Sequence, residues 1–134
     1  MVHVVLDTNI LVSALWSKDG NPAKIAHFIP DGKIVPCFCG EILNEYNAVL
    51  SRPKFGFLQG QINALLDNIK KYGKPCNVSK SAMPFTDESD RIFYDAARES
   101  KSILVTGNIK HFPTEPFIMT PAEFLSKINL NTSP

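Results

Sequence analysis

The chain has 134 residues, of which 44% are hydrophobic and 20% charged. That balance excludes a disordered or low-complexity protein. Fourteen Lys and Arg against thirteen Asp and Glu leave a net charge of +1, which excludes a uniformly basic nucleic-acid binder but allows a local basic patch. No run approaches membrane-spanning length and no basic-then-apolar leader opens the chain, so no membrane contact and a cytoplasmic location are expected.

In chain order, His3-Val4-Val5-Leu6 is an apolar, β-branched run suited to one buried strand. Asp7-Thr8-Asn9 follows, and then Ile10, Leu11, Ala14 and Leu15 recur at helical spacing. Asn21-Pro22 reads as a cap and first position of a short helix through Phe28, with Asn21 as the cap. Asp31-Gly32 is a turn signal before a second strand over 33–38, and Pro36 inside it suggests a sheet edge. Residues 41–51 form a helix with the stripe Ile42, Leu43, Tyr46, Val49 and Leu50; residues 59–72 form another, with Gly73 as its C-terminal cap. A short strand is predicted over 76–78, a helix from the Asp87 cluster to about Ser100, a strand over 103–106 and a last strand over 117–119. Thr120-Pro121-Ala122-Glu123 combines a capping box with Pro at the first position and launches a helix to about Ile128. Alternating strand and helix signals predict an α/β fold, a central parallel sheet covered on both faces. One domain over 1–128 and a C-terminal tail over 129–134 are expected.

Polar groups stand at places where they could converge. Asp7 comes at the carboxyl end of the first strand, where open α/β sheets bind ligands, although capping alone would also account for it. Glu45 lies one turn after Ile42 and one before Val49, so it borders a buried stripe, where a carboxylate needs a partner, a cation or access to water. Asp87-Glu88-Ser89-Asp90 opens a helix, whose dipole favours acids there in any case. Asp95 and Glu99 read as a solvated or salt-bridged face, with Arg91 and Arg98 spaced to pair with Asp95. Thr106-Gly107-Asn108 again puts polar groups beyond a strand end, as an ordinary turn also would. Cys37, Cys39 and Cys76 lack metal-site spacing and read as reduced, buried thiols.

These segments carry a resemblance. VVLDTNILVSAL, EILNEYNAVLSRPKF, DESDRIFYDAARES, LVTGNIKHFP and IMTPAEFL, in that order and spanning about 2–128, resemble the PIN-domain ribonucleases, in particular the branch that supplies toxins of toxin–antitoxin modules. The resemblance implies a compact α/β/α sandwich and a metal-dependent ribonuclease. It implies metal-holding acids at Asp7, Glu45 and Asp90, with Asp87 auxiliary and Thr8, Asn9 and Thr106 lining the site. Asn108 falls where many members carry a fourth acid, a departure that favours three carboxylates with Asn108 bonding a ligand water.

Clustered carboxylates suit Mg²⁺ or Mn²⁺, hard cations that keep waters for a substrate to displace. Arg52, Lys54, Lys110 and His111 are placed to contact substrate phosphates. Phe55, Phe57 and Phe112 are available for stacking but read first as core. An RNA substrate, a cognate antitoxin and a homodimer are the partners this implies. A phosphatase with a nucleophilic first aspartate would want a second Asp where Asn9 stands, and a phosphoacceptor domain would want acids before Asp7. A PIN fold that binds without cutting is the main alternative.

Overall fold

Five short parallel strands make the sheet of the computed structural model, which describes residues 2–132. They are β1 (Val2–Leu6), β2 (Ile34–Phe38), β3 (Lys74–Pro75), β4 (Ile103–Val105) and β5 (Ile118–Met119), in the order β3-β2-β1-β4-β5. Six helices flank it as an α/β/α sandwich: α1 (Thr8–Trp16), α2 (Asn21–His27), α3 (Gly40–Leu50), α4 (Gln59–Tyr72), α5 (Glu88–Ser100) and α6 (Pro121–Thr132). Val4, Val5, Leu6, Leu104 and Val105 are all buried to within 1% of their surface. Consecutive burial, rather than alternation, is what a parallel strand covered on both faces requires.

The chain runs outward from β1 to β2 and β3, then returns past β1 to β4 and β5. The order therefore reverses between β1 and β4, which pair with Leu6 opposite Val105. At such a switch point the loops leaving the two strands part in opposite directions and open a crevice. Asp7 and Thr106 are the first residues beyond those two strand ends.

Several expectations are met closely. α4 spans the predicted 59–72. Thr120 and Glu123 form the reciprocal capping box, with Thr120 N donating to Glu123 Oε1 (2.9 Å) and Glu123 N to Thr120 Oγ1 (3.2 Å). Others need correction. The cap of α2 is Gly20, not Asn21, which is already helical. β2 is an inner strand despite Pro36, because β3 begins only opposite Cys37 and leaves Pro36 a ladder neighbour on the β1 side alone. The strand expected over 76–78 forms two residues earlier, at Lys74–Pro75. α6 continues to Thr132, into the predicted tail, whose residues 133 and 134 lie outside the described residues.

Asp95 departs furthest. It is 1% exposed, and its Oδ2 accepts from Ser81 N (3.0 Å). Arg91 pairs with Glu88 (2.7 Å) rather than with Asp95, and donates to the Ser81 carbonyl (2.7 Å), Ser81 Oγ (3.1 Å) and the Met83 carbonyl. Arg98 pairs with its neighbour Glu99 (3.6 Å). The segment before α5 thus lies across the helix and buries a face that periodicity assigns to solvent.

Candidate active site

Asp7 is both the N-cap of α1 and the centre of a hydrogen-bonded ring. Its Oδ1 accepts from Thr8 N (2.7 Å), and its Oδ2 accepts from Thr106 Oγ1 (2.7 Å) and Asn9 Nδ2 (3.2 Å). Thr106 Oγ1 in turn accepts from Asn108 N (3.0 Å), and Asn9 Oδ1 accepts from Gly107 N (3.2 Å). The ends of β1 and β4 are stitched together through one carboxylate. Three donors favour its charged form, yet burial outweighs them and raises the Asp7 pKa, with Glu45 adding to the rise.

Glu45 and Asp90 reach the same crevice from two helices that are locked by an aromatic pair. Tyr46, next to Glu45 on α3, stacks on Phe93, three residues after Asp90 on α5, at 5.9 Å between centroids. The Tyr46 hydroxyl donates to the Leu6 carbonyl (2.6 Å), one residue before Asp7. Side-chain packing thus sets the spacing of the three acids. Tyr46→Phe removes a hydrogen bond to a buried carbonyl and is expected to cost about 1–2 kcal/mol. A shift in urea midpoint equivalent to less than a few tenths of that would show the bond to be dispensable.

Asp90 has 16% of its side chain exposed. Its pKa is raised to about 6, first by burial and then by the charges of Asp7, Asp87 and Glu45. His111 opposes this from 3.7 Å, between its Nδ1 and Asp90 Oδ2, and also lowers the Asp7 pKa. Asp87 caps α5, accepting from Ser89 N (3.0 Å) and Ser89 Oγ (2.7 Å), and those bonds lower its pKa. Glu45 is half-buried and makes no hydrogen bond or ion pair among the described residues. The acids form an open cluster: among the described residues no three carboxylate, imidazole or thiol side chains close on a single point as ligands of one ion would. Their donor chemistry still fits a hard divalent cation, since oxygen ligands of like charge repel one another until a positive charge enters.

The residues singled out from the sequence therefore fall into two groups. Asp7, Thr8, Asn9, Thr106 and Asn108 share one hydrogen-bonded network; Glu45 and His111 act electrostatically on both Asp7 and Asp90, and Asp87 acts on Asp90. The Asn108 side chain is exposed and makes no hydrogen bond among the described residues. Arg52, Lys54 and Lys110 are exposed and form no ion pair with these acids. Sequence reasoning missed Tyr46 as a positioning residue, although its place beside Glu45 on the apolar stripe was the available signal. It also missed the Gly107 amide.

A switch-point crevice bordered by acids places a candidate ligand site on this α/β sandwich. Residues 3–110 match the family described as PIN domain, and the chain belongs to that family. PIN domains are in general nucleases that act on nucleic acid with divalent metals. A Methanocaldococcus jannaschii relative, "Uncharacterized protein MJ1680", is 33% identical over 110 residues, covering 80% of this chain and 71% of its own. Among the described residues no helix is long and apolar enough to cross a membrane.

Proposed function

We propose that this protein is a Mg²⁺- or Mn²⁺-dependent ribonuclease that hydrolyses RNA phosphodiester bonds, working in the cytoplasm as the toxin of a toxin–antitoxin module. Asp7, Glu45 and Asp90 are the metal-holding acids, with Asp87 and Asn108 secondary and Thr8, Asn9 and Thr106 lining the site. A cognate antitoxin and a second copy of the chain are the protein partners of this reading. The observation that supports it is the pair Asp7 and Asp90 beside the β1/β4 switch point, each carboxyl pushed up by burial and by the nearby charge of Glu45.

A bound cation would neutralise this cluster, polarise a phosphoryl oxygen and make a water acidic enough to attack. The chain's own part is orientation. Thr8 N, Asn9 and Thr106 hold the Asp7 carboxylate in one setting, while Asp90 faces His111 at 3.7 Å and Glu45 makes no hydrogen bond or ion pair among the described residues. His111, Lys110, Arg52 and Lys54 supply the positive charge that a polyanion needs near a negative cleft.

The test is cleavage of a panel of structured and single-stranded RNAs with Mg²⁺, Mn²⁺ or EDTA, beside Asp7→Asn. Cutting that needs metal and falls on the order of a hundredfold or more in the variant is expected, since a lost ligand removes several kcal/mol of charge stabilisation. RNA binding without cutting, and with no calorimetric binding of Mn²⁺, would overturn the nuclease. That result would favour a non-catalytic binding module, to which the amide at Asn108 already points.

A further inference from the structure

The helices α1 and α3 pack against each other, and each carries a line of residues away from the acids. On α1, Asn9 is followed on the same face by Ser13 and Trp16, four and seven residues on. Trp16 thus stands about 10 Å along the helix from a residue bonded to Asp7. On α3, Arg52 follows Glu45 by seven residues, just past the helix end.

The two lines meet. Trp16 packs edge-on against Phe55 (5.5 Å, 83°) and Phe57 (6.1 Å, 88°), which stack on each other (5.5 Å, 13°). Phe55 and Phe57 are both half-buried; Phe57 also packs against the hydrophobic core, whereas Phe55 does not. Trp16 remains 64% exposed, and Leu58 beside the cluster is 70% exposed. The Lys54 ammonium sits 5.2 Å above the Phe55 ring. No acid occurs between Glu45 and Asp67, and Arg52 and Lys54 have no ion pair among the described residues. Lys18 and Asp19, after Trp16, offset each other.

An exposed indole braced by two rings, with unpaired cations of one sign around it, matches what a single strand needs: faces for bases and charges for phosphates. We propose that Trp16, backed by Phe55 and Phe57 and flanked by Arg52 and Lys54, is a base-stacking platform that holds single-stranded RNA beside the phosphate being cut. This rests on the nuclease reading and makes it more specific. Bases paired in a duplex cannot reach such a surface, so unpaired RNA is the preferred substrate.

Trp16 is the chain's single tryptophan, so its fluorescence reports on this surface alone. The full chain is titrated with an RNA single strand, and with the same sequence as a duplex, in EDTA so that no metal-dependent cutting occurs. Saturable quenching by the single strand, weakened by salt and by duplex formation, is expected. Binding of a labelled strand should weaken about tenfold in Trp16→Ala, the loss of one base stack, but less than threefold in Trp16→Phe, which keeps a ring. With metal present, the Trp16→Ala defect should fall on KM rather than kcat.

Quenching and weakened binding without cleavage under any metal would support the platform and overturn the nuclease. Metal-dependent cleavage with no quenching, and with wild-type KM in Trp16→Ala, would overturn the platform and spare the nuclease. Fluorescence that follows protein concentration instead of RNA would also overturn it, assigning the surface to a second copy of the chain.

Discussion

Asp90→Asn is expected to make the metal-free protein more stable at pH 7 while removing metal-dependent cleavage. Asp90 titrates near 6, against an ordinary value of 3.8, because it is partly buried beside Asp7, Asp87 and Glu45. A carboxyl whose folded pKa is raised lends stability below its unfolded pKa and loses it as pH climbs through the folded one. For Asp90 that loss falls between about pH 4 and pH 6. Asparagine resembles the neutral acid at every pH, so the variant keeps what the parent gives up. Allowing for solvent at the open side of the cleft, the gain at pH 7 is about 1–2 kcal/mol. Thermal unfolding in EDTA at pH 4.5 and 7 checks it. The two proteins should lie closer at the lower pH, where only part of the loss has developed, and separate further at the higher, the variant melting several degrees above the parent. Equal melting at pH 7 would mean that Asp90 suffers little from its neighbours. Cleavage should drop on the order of a hundredfold, so stability and activity move in opposite directions from one atom exchange.

Gly73→Ala should be the most damaging single methyl group in the chain. Gly73 joins α4 to β3, and its N–H donates to the Ile69 carbonyl (2.9 Å). Its φ of −90° and ψ of −173° are open to any residue, so conformational freedom is not why a glycine stands there. A Cβ at this position would collide with two backbone oxygens, those of Pro36 and Ile69. Backbone cannot swing aside as a side chain can. Either the end of α4 or the middle of β2 has to move, at a cost of about 3 kcal/mol. Gly60→Ala is the control, because nothing lies within 4 Å of its added carbon and the residue sits in α4. That change should stabilise by about 0.5–1 kcal/mol. Urea unfolding that ranks the two variants in the opposite order would refute the steric account.

Gly73 caps α4 as its place in the sequence suggests, but the two backbone oxygens that require a glycine there belong partly to a distant strand. Helices such as 59–72 were legible because periodicity is local: the residues that define the stripe are those that form it. The Thr120 box was legible for the same reason, its partners being three residues apart. What could not be read depended on segments that meet only in the fold. Asp95 has helical neighbours consistent with solvent, and only the crossing of Ser81 and Met83 buries it. Pro36 suggested an edge because the two-residue length of β3 leaves no trace in composition. Of the candidate site, Asp7 and Thr106 were legible as strand-end residues. Their hydrogen bond was not, because it needs β1 and β4 to be neighbours 99 positions apart in sequence. Phe55 reads as core although it packs outside the core cluster, because hydrophobicity alone cannot report what covers a ring.

Both rims of the sheet are two residues long: Lys74–Pro75 on one side and Ile118–Met119 on the other. The first is a lysine followed by a residue with no amide hydrogen to donate, and Pro121 stops the second from running on. A foreign strand needs a row of free amides and carbonyls to zip onto, and neither rim provides one of useful length. The sheet should therefore resist edge-to-edge aggregation at high concentration. A protein that recognises this one must grip side chains or helices, because strand addition has nowhere to begin.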